Sequence, residues 1–391
     1  MKKITLFNLE SSGEESYQQI TPSSASAVDT LRALAIIFVV LHHLLAYGGI
    51  NFPVLGEIGG VLGVQLFFLV SGFLIIQSAE KYSLPVFAIH RFFRIFPPYL
   101  AIYFTVLIAR LVFGDPIGPV IRQHTPWLLL NALNLQFLHP VSVLLLDVLH
   151  VGWSLTVELG WYLLAPLVVY WSGGRLRNWL AILALGWIVS VVWVLAGQNH
   201  LLDFLYLGMF ATAGVSLDAG IFREAIVTNA PPAQMAYFIT GACLYRFSRP
   251  LSRLPLSILW LIAALILPFL VQWHDLLGFR PNPISAIGLS ALFLWVTRVN
   301  YGDALTSWLA RTSFSIYLVH VPLLRFVFEY LKPNIFFGLI LALTLVAIAA
   351  ELGYRWLEKP SMDFGRKLSK RIVPISIGEN RPLARAGYGS E

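Results

Sequence analysis

The sequence is poor in charged residues and in cysteine. Only 12% of its 391 residues are Asp, Glu, Lys or Arg, and 58% are hydrophobic, whereas a soluble domain usually carries about 25% charged residues. The one cysteine, Cys243, excludes a disulfide framework and a cysteine-based metal cluster. The sequence also lacks a phosphate-binding glycine loop, a zinc-ligand spacing and a nucleophile elbow, so we expect no bound metal. Segment 1–27 is polar, and we expect no cleavable signal peptide there.

In place of charge, the sequence has apolar runs of about 20 residues, each long enough to cross ~30 Å of hydrocarbon. They predict an all-α fold, a polytopic transmembrane helix bundle. The runs lie near residues 31–50, 60–79, 95–113, 152–171, 179–197, 233–247, 256–273, 284–299, 312–330 and 335–356. Segments 127–147 and 201–217 are also apolar, and each either crosses the membrane or lies in its interface. We expect a disordered cytoplasmic tail over 1–27, a membrane domain over 28–358 and a basic polar cytoplasmic tail over 359–391.

Lysine and arginine decide the two ambiguous segments, because cytoplasmic loops of membrane proteins are enriched in both. If the amino terminus is inside and neither segment crosses, most Lys and Arg between the spans fall in inner loops and the inner tail. The outer loops then hold only Arg122, Arg223, Arg280 and Lys332. We therefore predict about ten spans with both termini cytoplasmic. This distribution explains the net charge of +7 without a nucleic-acid partner.

Three ionisable residues within apolar runs are candidates for chemistry, since such residues are costly inside a membrane. Arg32 and His43 are eleven residues apart, so on a helix they share a face and are separated by ~16 Å of rise. Arg32 then lies at the cytoplasmic face, and His43 lies a little beyond the bilayer centre. Glu158 reaches a similar depth on a later span, so it could meet His43 and orient or activate the imidazole. For each of them the alternative is a structural hydrogen bond between helices.

Two further pairs lie one helical turn apart and therefore share a face. Arg91 and Arg94 could bind a phosphate or pyrophosphate at the inner surface. Taken alone, this pair fits somewhat better with a topology anchor that binds lipid headgroups. Tyr317 and His320 either line one cavity or form simple hydrogen bonds between helices.

Taken in order along the chain, these motifs resemble the acyltransferase 3 family of membrane proteins, which includes bacterial O-antigen and peptidoglycan O-acetylases. The matching residues are Arg32 with His43, the run Phe67–Phe73, the pair Arg91 and Arg94, the segment with Trp153, Ser154 and Glu158, and the run Ser315–His320. The motifs are ordered and extend over nearly the whole membrane part, from residue 29 to about 358. The resemblance implies a bundle of roughly ten helices.

The resemblance also implies an integral-membrane O-acyltransferase of the bacterial inner membrane. It would move an acyl group, most often acetyl, from cytoplasmic acyl-CoA to a hydroxyl of a cell-surface carbohydrate or its lipid-linked precursor. The catalytic residues would be His43 and Glu158, the CoA-binding residues Arg32, Arg91 and Arg94, and the supporting residues Trp153, Ser154, Tyr317 and His320. Transfer would be direct or would pass through a separate extracytoplasmic protein.

Three other functions stay open at this point. The acceptor could be a small glycosylated metabolite or a macrolide, because the same residues would serve. The chain could instead be a proton-coupled transporter with His43 and Glu158 as a relay, although transporters often contain inverted repeats and the sequence shows none. A membrane scaffold is the third, and polar residues at lipid depth argue against it.

Overall fold

The computed structural model describes residues 25–53, 55–115, 117–212, 227–251, 253–277, 283–299 and 302–372. Over these residues the chain forms helices and no strands, which confirms the predicted fold class. The α-helices are α1 (Ala25–Tyr47), α2 (Leu55–Lys81), α3 (Leu84–Val112), α4 (Ile117–Ala132), α5 (Pro140–Leu144), α6 (Trp153–Ser172), α7 (Leu176–Gln198), α8 (Asp203–Thr212), α9 (Pro231–Leu251), α10 (Leu256–Leu277), α11 (Ser285–Val299), α12 (Ala304–Arg325), α13 (Ile335–Gly353) and α14 (Lys359–Ile372). Two π-helical segments, Phe326–Leu331 and Tyr354–Glu358, extend α12 and α13.

Every predicted span coincides with one of these helices. Seven segments of the described chain are long and apolar enough to cross a membrane: Ala27–Tyr47, Leu55–Lys81, Leu84–Val112, Trp153–Ser172, Leu176–Gln198, Ala304–Leu331 and Ile335–Ile372. Helices α9, α10 and α11 coincide with the other predicted spans, and α10 and α11 contain shorter apolar stretches. The chain is therefore a multi-pass membrane protein, whereas the count of ten spans and the cytoplasmic termini stay predictions.

The segment over 127–147 breaks into short pieces. Helix α4 is kinked at His124 and has 16 residues, which rise only about 24 Å. It is followed by a short 3₁₀ turn and by α5, which has five residues. None of these helices reaches across ~30 Å of hydrocarbon, in agreement with the charge argument. The other ambiguous segment, 201–217, contains α8, and its remainder lies outside the described residues, as do residues 1–24 and 373–391.

Helices α1 and α12 run parallel through the centre of the bundle. Arg32 on α1 contacts Ser313 on α12, and His43 further along α1 contacts His320 further along α12. The predicted arrangement of ten spans requires this direction, because α12 would be its ninth span. The two helices thus carry one functional side chain each at two levels of the bundle.

Glycines let the central helices approach closely. A Cβ atom at Gly72 of α2 would lie 2.1 Å from the Phe238 carbonyl oxygen on α9, and one at Gly241 of α9 would lie 1.9 Å from the Leu69 carbonyl oxygen on α2. Both distances are far below van der Waals contact, so any larger residue would push the helices apart. Gly72 lies in the run Phe67–Phe73, so this part of the motif serves helix packing.

Helix α14 continues the last apolar segment beyond the membrane. The segment Ile335–Ile372 has 38 residues and rises about 57 Å, nearly twice ~30 Å of hydrocarbon. The sequence predicted only a polar tail here, but residues 359–372 form a helix that packs on α3. Its small residues face α3: the Ser361 hydroxyl donates to the Phe93 carbonyl, and Ser369 lies 3.0 Å from His90. The contact between α3 and α14 therefore lies outside the apolar layer.

Candidate active site

A polar cavity of about 900 Å³ lies between α2, α3, α6, α12 and α14. Along α2 it extends from Val64 to Lys81, which corresponds to about 25 Å of helical rise. Its polar lining consists of Arg32, Ser71, Gln77, Ser78, Glu80, Lys81, Tyr82, His90, Arg91, Arg94, Ser154, Glu158, Tyr162, Tyr245, Ser313, Tyr317 and Arg366. Most of the predicted site residues therefore line one cavity.

Arg32, Arg91 and Arg94, here called the arginine cluster, all line this cavity. Arg91 donates to the Ser78 hydroxyl at 2.8 Å, and its guanidinium lies 5.6 Å from the ring centroids of Phe87 and Tyr162. Its Nε atom is buried and has no hydrogen-bond partner among the described residues. A buried N–H without an acceptor is costly, so the hydrogen-bonding capacity of Arg91 is not used up by this part of the protein.

Arg94 is held by an acidic residue that sequence reasoning missed. Its guanidinium lies 2.5 Å from Oε1 of Glu358, which is completely buried. The second carboxylate oxygen of Glu358 accepts a hydrogen bond from Ser315 at 3.0 Å. The pair fixes one edge of Arg94 while the rest of the guanidinium faces the cavity. The available signal was an acidic residue at the inner end of an apolar run, next to Lys359, where the flanking residues are otherwise basic.

Glu158 lies in the cavity and not beside the imidazole. Its carboxylate accepts hydrogen bonds from Tyr162 at 2.8 Å and from Ser71 at 3.5 Å, and its charge acts on Arg32. The predicted contact between Glu158 and His43 is therefore wrong. Helical rise gives the depth of a side chain along its own helix, but it does not say which neighbouring helix that side chain faces.

The partner of His43 is His320. The two ring centroids are 5.0 Å apart, and Nε2 of His320 lies 3.4 Å from Nδ1 of His43. His320 is completely buried on α12, whereas His43 is partly exposed. Sequence reasoning singled out both histidines but did not predict that their side chains contact each other. We call them the histidine pair.

Backbone carbonyls assign the proton positions of the histidine pair. Nδ1 of His43 lies 2.9 Å from the Val39 carbonyl oxygen, and Nδ1 of His320 lies 2.8 Å from the Tyr317 carbonyl oxygen. A carbonyl oxygen only accepts, so each neutral ring carries its proton on Nδ1 and a lone pair on Nε2. The lone pair of His320 faces His43, and the Nε2 lone pair of His43 is left for a substrate. This tautomer suits a general base or a nucleophile.

Tyr317 and Ser154 separate the cavity from the histidine pair. Their hydroxyl oxygens are 2.7 Å apart, and both residues line the cavity. The Tyr317 ring lies 5.7 Å from the His320 ring, centroid to centroid, while neither histidine of the pair lines the cavity itself. One layer of side chains therefore stands between the cavity and the imidazole. Trp153 supports this layer, because its ring packs on Phe68 of the cavity wall.

On the far side of the histidine pair lies a charged cluster around Asp115. Arg110 donates two hydrogen bonds to the Asp115 carboxylate, at 3.0 and 3.1 Å. Arg325 contacts the same carboxylate at 3.2 Å, donates to Glu329 at 2.6 Å and lies 3.1 Å from Nε2 of His150. These five residues form the Asp115 cluster. His150 lies near enough for the charge of His43 to act on it, so the cluster is a neighbour of the histidine pair.

Local charges set the protonation of this cluster. Although part of His150 is exposed, desolvation by the side chains packed around its ring, followed by the charges of Arg110 and Arg325, lowers its pKa from 6.5 to about 4. Burial tends to raise the pKa of Asp115, but hydrogen bonds from Arg110 and from the Ile117 N–H outweigh it and hold the pKa below 3.8. At neutral pH His150 is therefore uncharged and Asp115 is ionised.

The comparisons with known proteins agree with these motifs. The family model of the acyltransferase domain Acyl_transf_3 matches residues 26–352. The chain belongs to the acyltransferase 3 family. It is 25% identical over 384 residues to O-acetyltransferase OatA of Staphylococcus aureus, covering 89% of this chain and 58% of the relative. It is 25% identical over 383 residues to peptidoglycan O-acetyltransferase OatA of Listeria monocytogenes, covering 85% and 55%.

The chain spans a little over half the length of these curated relatives. No solved structure matches it significantly. The region typical of the acyltransferase 3 family contains the histidine pair, the arginine cluster, Tyr317 and Glu158. Glu358 and α14 lie beyond the matched region, so the partner of Arg94 comes from outside it.

Proposed function

We propose that this acyltransferase 3 protein moves an acyl group, acetyl in the simplest case, from acyl-CoA to a hydroxyl of a carbohydrate. The donor would enter from the cytoplasmic side of a bacterial inner membrane. The observation that carries the proposal is the order of groups along one path: a cationic cavity, then Tyr317 and Ser154, then the histidine pair. A phosphate-rich donor needs the first part, and acyl transfer to oxygen needs the last.

The charge of the cavity supports CoA as the donor. Five cationic side chains and two carboxylates line it, which gives a formal excess of three positive charges. Guanidinium groups suit phosphate oxygens because they offer several N–H donors in a fixed plane. Arg91 lines the cavity, and one of its N–H donors has no acceptor in the described part of the chain. Glu158 lies deeper, where the pantetheine amides would pass, and its carboxylate can accept a hydrogen bond from an amide N–H.

The acyl end of the donor would pass the layer formed by Tyr317 and Ser154 to reach His43. Nε2 of His43 then takes the proton from the acceptor hydroxyl, and the oxygen attacks the thioester carbonyl. The C–S bond breaks, and the CoA thiolate takes the proton from the imidazole. In the two-step form of the reaction, Nε2 attacks the thioester carbonyl, the C–S bond breaks and CoA leaves as the thiolate. The acceptor hydroxyl then attacks the acyl carbon, the C–N bond breaks, and the hydroxyl proton passes to the thiolate.

The names of the relatives support a carbohydrate acceptor. One of them is a peptidoglycan O-acetyltransferase, and peptidoglycan is a carbohydrate polymer outside the membrane. The acceptor would approach His43 from the Asp115 cluster, opposite to the donor. Direct transfer and transfer through a separate extracytoplasmic protein use the same donor half of the reaction.

The test is acetyl transfer from labelled acetyl-CoA in membranes that contain the protein. His43→Ala should lower the rate by about 10² to 10⁴-fold, because it removes the group that accepts the proton. The matched control is His42→Ala: its Nδ1 lies 3.4 Å from the Leu55 carbonyl oxygen, and it should retain most of the activity. Transfer that survives in His43→Ala contradicts the mechanism, and wild-type membranes that release no CoA would point to a transporter.

A further inference from the structure

The cavity contains two levels of cationic side chains at its cytoplasmic end. The arginine cluster forms the deeper level. Lys81, Tyr82, His90 and Arg366 line the part nearest the opening, and we call these four residues the rim. On α3, His90 of the rim is the neighbour of Arg91 and lies one helical turn from Arg94, so along this helix the two levels are separated by about 1.5 to 6 Å of rise. A single phosphate would need only one level.

Helix α14 brings Arg366 to this place. Its small residues lie against α3, and a Cβ atom at Gly365 would come within 2.7 Å of Phe93 Cβ. Met362 and Arg366, one turn apart, then both line the cavity, and the Met362 sulfur lies 3.0 Å from Arg94. Arg366 also contacts Asp363 at 2.5 Å on the exposed side of the helix, with 60% of its side chain accessible. A guanidinium held at the edge of the opening can therefore meet a ligand as it enters.

The rim also contains an aromatic face. The Tyr82 ring meets the His90 ring edge-on at 4.9 Å between centroids, and the Lys81 ammonium lies 5.3 Å from the Tyr82 centroid. Glu80 is the rim's acidic neighbour and lines the same space. A cation beside an aromatic ring fits a ligand that joins a phosphate to a flat base, because each part finds its own contact.

We propose that the rim binds the 3′-phosphate and the adenine of the donor's nucleotide, with Arg366 as the main contact of that phosphate. The arginine cluster then takes the pyrophosphate. The inference rests on the proposed function, because it assumes that CoA is the donor. It assigns a nucleotide subsite to α14, which lies outside the matched region 26–352.

The experiment compares CoA with dephospho-CoA, which lacks only the 3′-phosphate, by displacement of labelled acetyl-CoA from the full chain in lipid nanodiscs. Wild-type protein should bind CoA about 10-fold more tightly, as expected for a charge-assisted phosphate contact. Arg366→Gln should weaken CoA binding about 10-fold, leave dephospho-CoA binding unchanged and so abolish the preference. Lys367→Gln is the matched control, since Lys367 is an exposed neighbour outside the cavity lining, and it should keep the preference.

The outcomes separate this inference from the proposed function. If wild-type protein binds both nucleotides equally, or if Arg366→Gln weakens both by the same factor, the rim does not recognise the 3′-phosphate. Loss of the preference in both Arg366→Gln and Lys367→Gln would mean that bulk charge, and not a contact, is responsible. If wild-type protein binds neither nucleotide and releases no CoA from acetyl-CoA, the proposed donor is wrong and the inference falls with it.

Discussion

Two groups of arginines lie on either side of the histidine pair. They differ in how many of their guanidinium N–H groups have a hydrogen-bond acceptor within the protein. In the Asp115 cluster, Arg110 has the Asp115 carboxylate and two backbone carbonyls as acceptors, and Arg325 has two carboxylates. In the arginine cluster, Arg91 has, within the described residues, one hydroxyl acceptor and a buried N–H with none. The first group is a closed structural network, and the second retains capacity for an anion.

The comparison shows that an arginine in an apolar run is not by itself evidence of a binding site. Arg110 and Arg325 lie in such runs as plainly as Arg32 does, and their charge is neutralised by Asp115 and Glu329 within the protein. What distinguishes the arginine cluster is excess positive charge facing an open cavity. Each prediction below tests whether this division into structural and ligand-binding arginines holds.

The largest effect on folding should come from Asp115→Asn. The substitution leaves Arg110 and Arg325 without their shared carboxylate, which is buried, and breaking a buried ion pair costs about 3 kcal/mol. Thermal unfolding in detergent should show a clearly lower melting temperature, with donor affinity unchanged in the folded fraction. Asp203→Asn, in a pair with the exposed His200, serves as control and should change the melting temperature little. Equal stability of both variants would contradict the structural role of the cluster.

The next effect concerns the histidine pair, which lies between the two clusters. His320→Asn removes the ring that faces Nδ1 of His43, so the imidazole loses its fixed orientation. We expect kcat to fall about 10 to 100-fold with little change in KM for acetyl-CoA, because positioning acts on the transfer step. Steady-state kinetics measures both constants. A rise in KM with kcat unchanged would show that His320 serves donor binding and not the imidazole.

Donor binding should change by a smaller factor in Arg91→Gln. The variant keeps a polar side chain but loses the charge and the Nε donor, so KM for acetyl-CoA should rise about 10-fold with kcat nearly constant. The matched variant in the Asp115 cluster is Arg110→Gln, which should lower the melting temperature and leave KM for acetyl-CoA unchanged. If Arg110→Gln raises KM as much as Arg91→Gln does, the two clusters do not differ as described.

The smallest effect is a pH dependence of stability from His150. Its folded pKa of about 4 lies below the ordinary 6.5, so between these values the unfolded chain binds more protons than the folded one. Stability should therefore rise as the pH increases from about 4 to 6.5 and level off above. Because His150 is exposed, solvent screening keeps the effect small. In unfolding curves, wild type should lose stability relative to His150→Gln as the pH falls from about 6.5 to 4; a stability difference between the two that does not change with pH would contradict the lowered pKa.

Much of the fold and part of the site were predictable from the sequence. Hydrophobic run length located the helices of the predicted spans, whereas the prediction from charge that residues 127–147 do not cross the membrane stays a prediction, with which the short helices found there agree. Helical spacing placed Arg91 and Arg94 on one cavity wall. The same reasoning failed for Glu158, because equal depth on two helices does not make their side chains neighbours. It also missed Glu358, since a single acidic residue between apolar and basic segments has no periodic pattern.

The sequence by itself determined which segments become helices and which side chains share a face, because both follow from the length of apolar runs and the 3.6-residue period of the backbone. Only the tertiary structure decided that His43 meets His320, that Arg94 meets Glu358 and that Tyr317 closes the cavity. Those contacts depend on which helices lie side by side. Close approaches such as that of Gly72 to Phe238 fix this order, and such packing joins residues far apart in the chain.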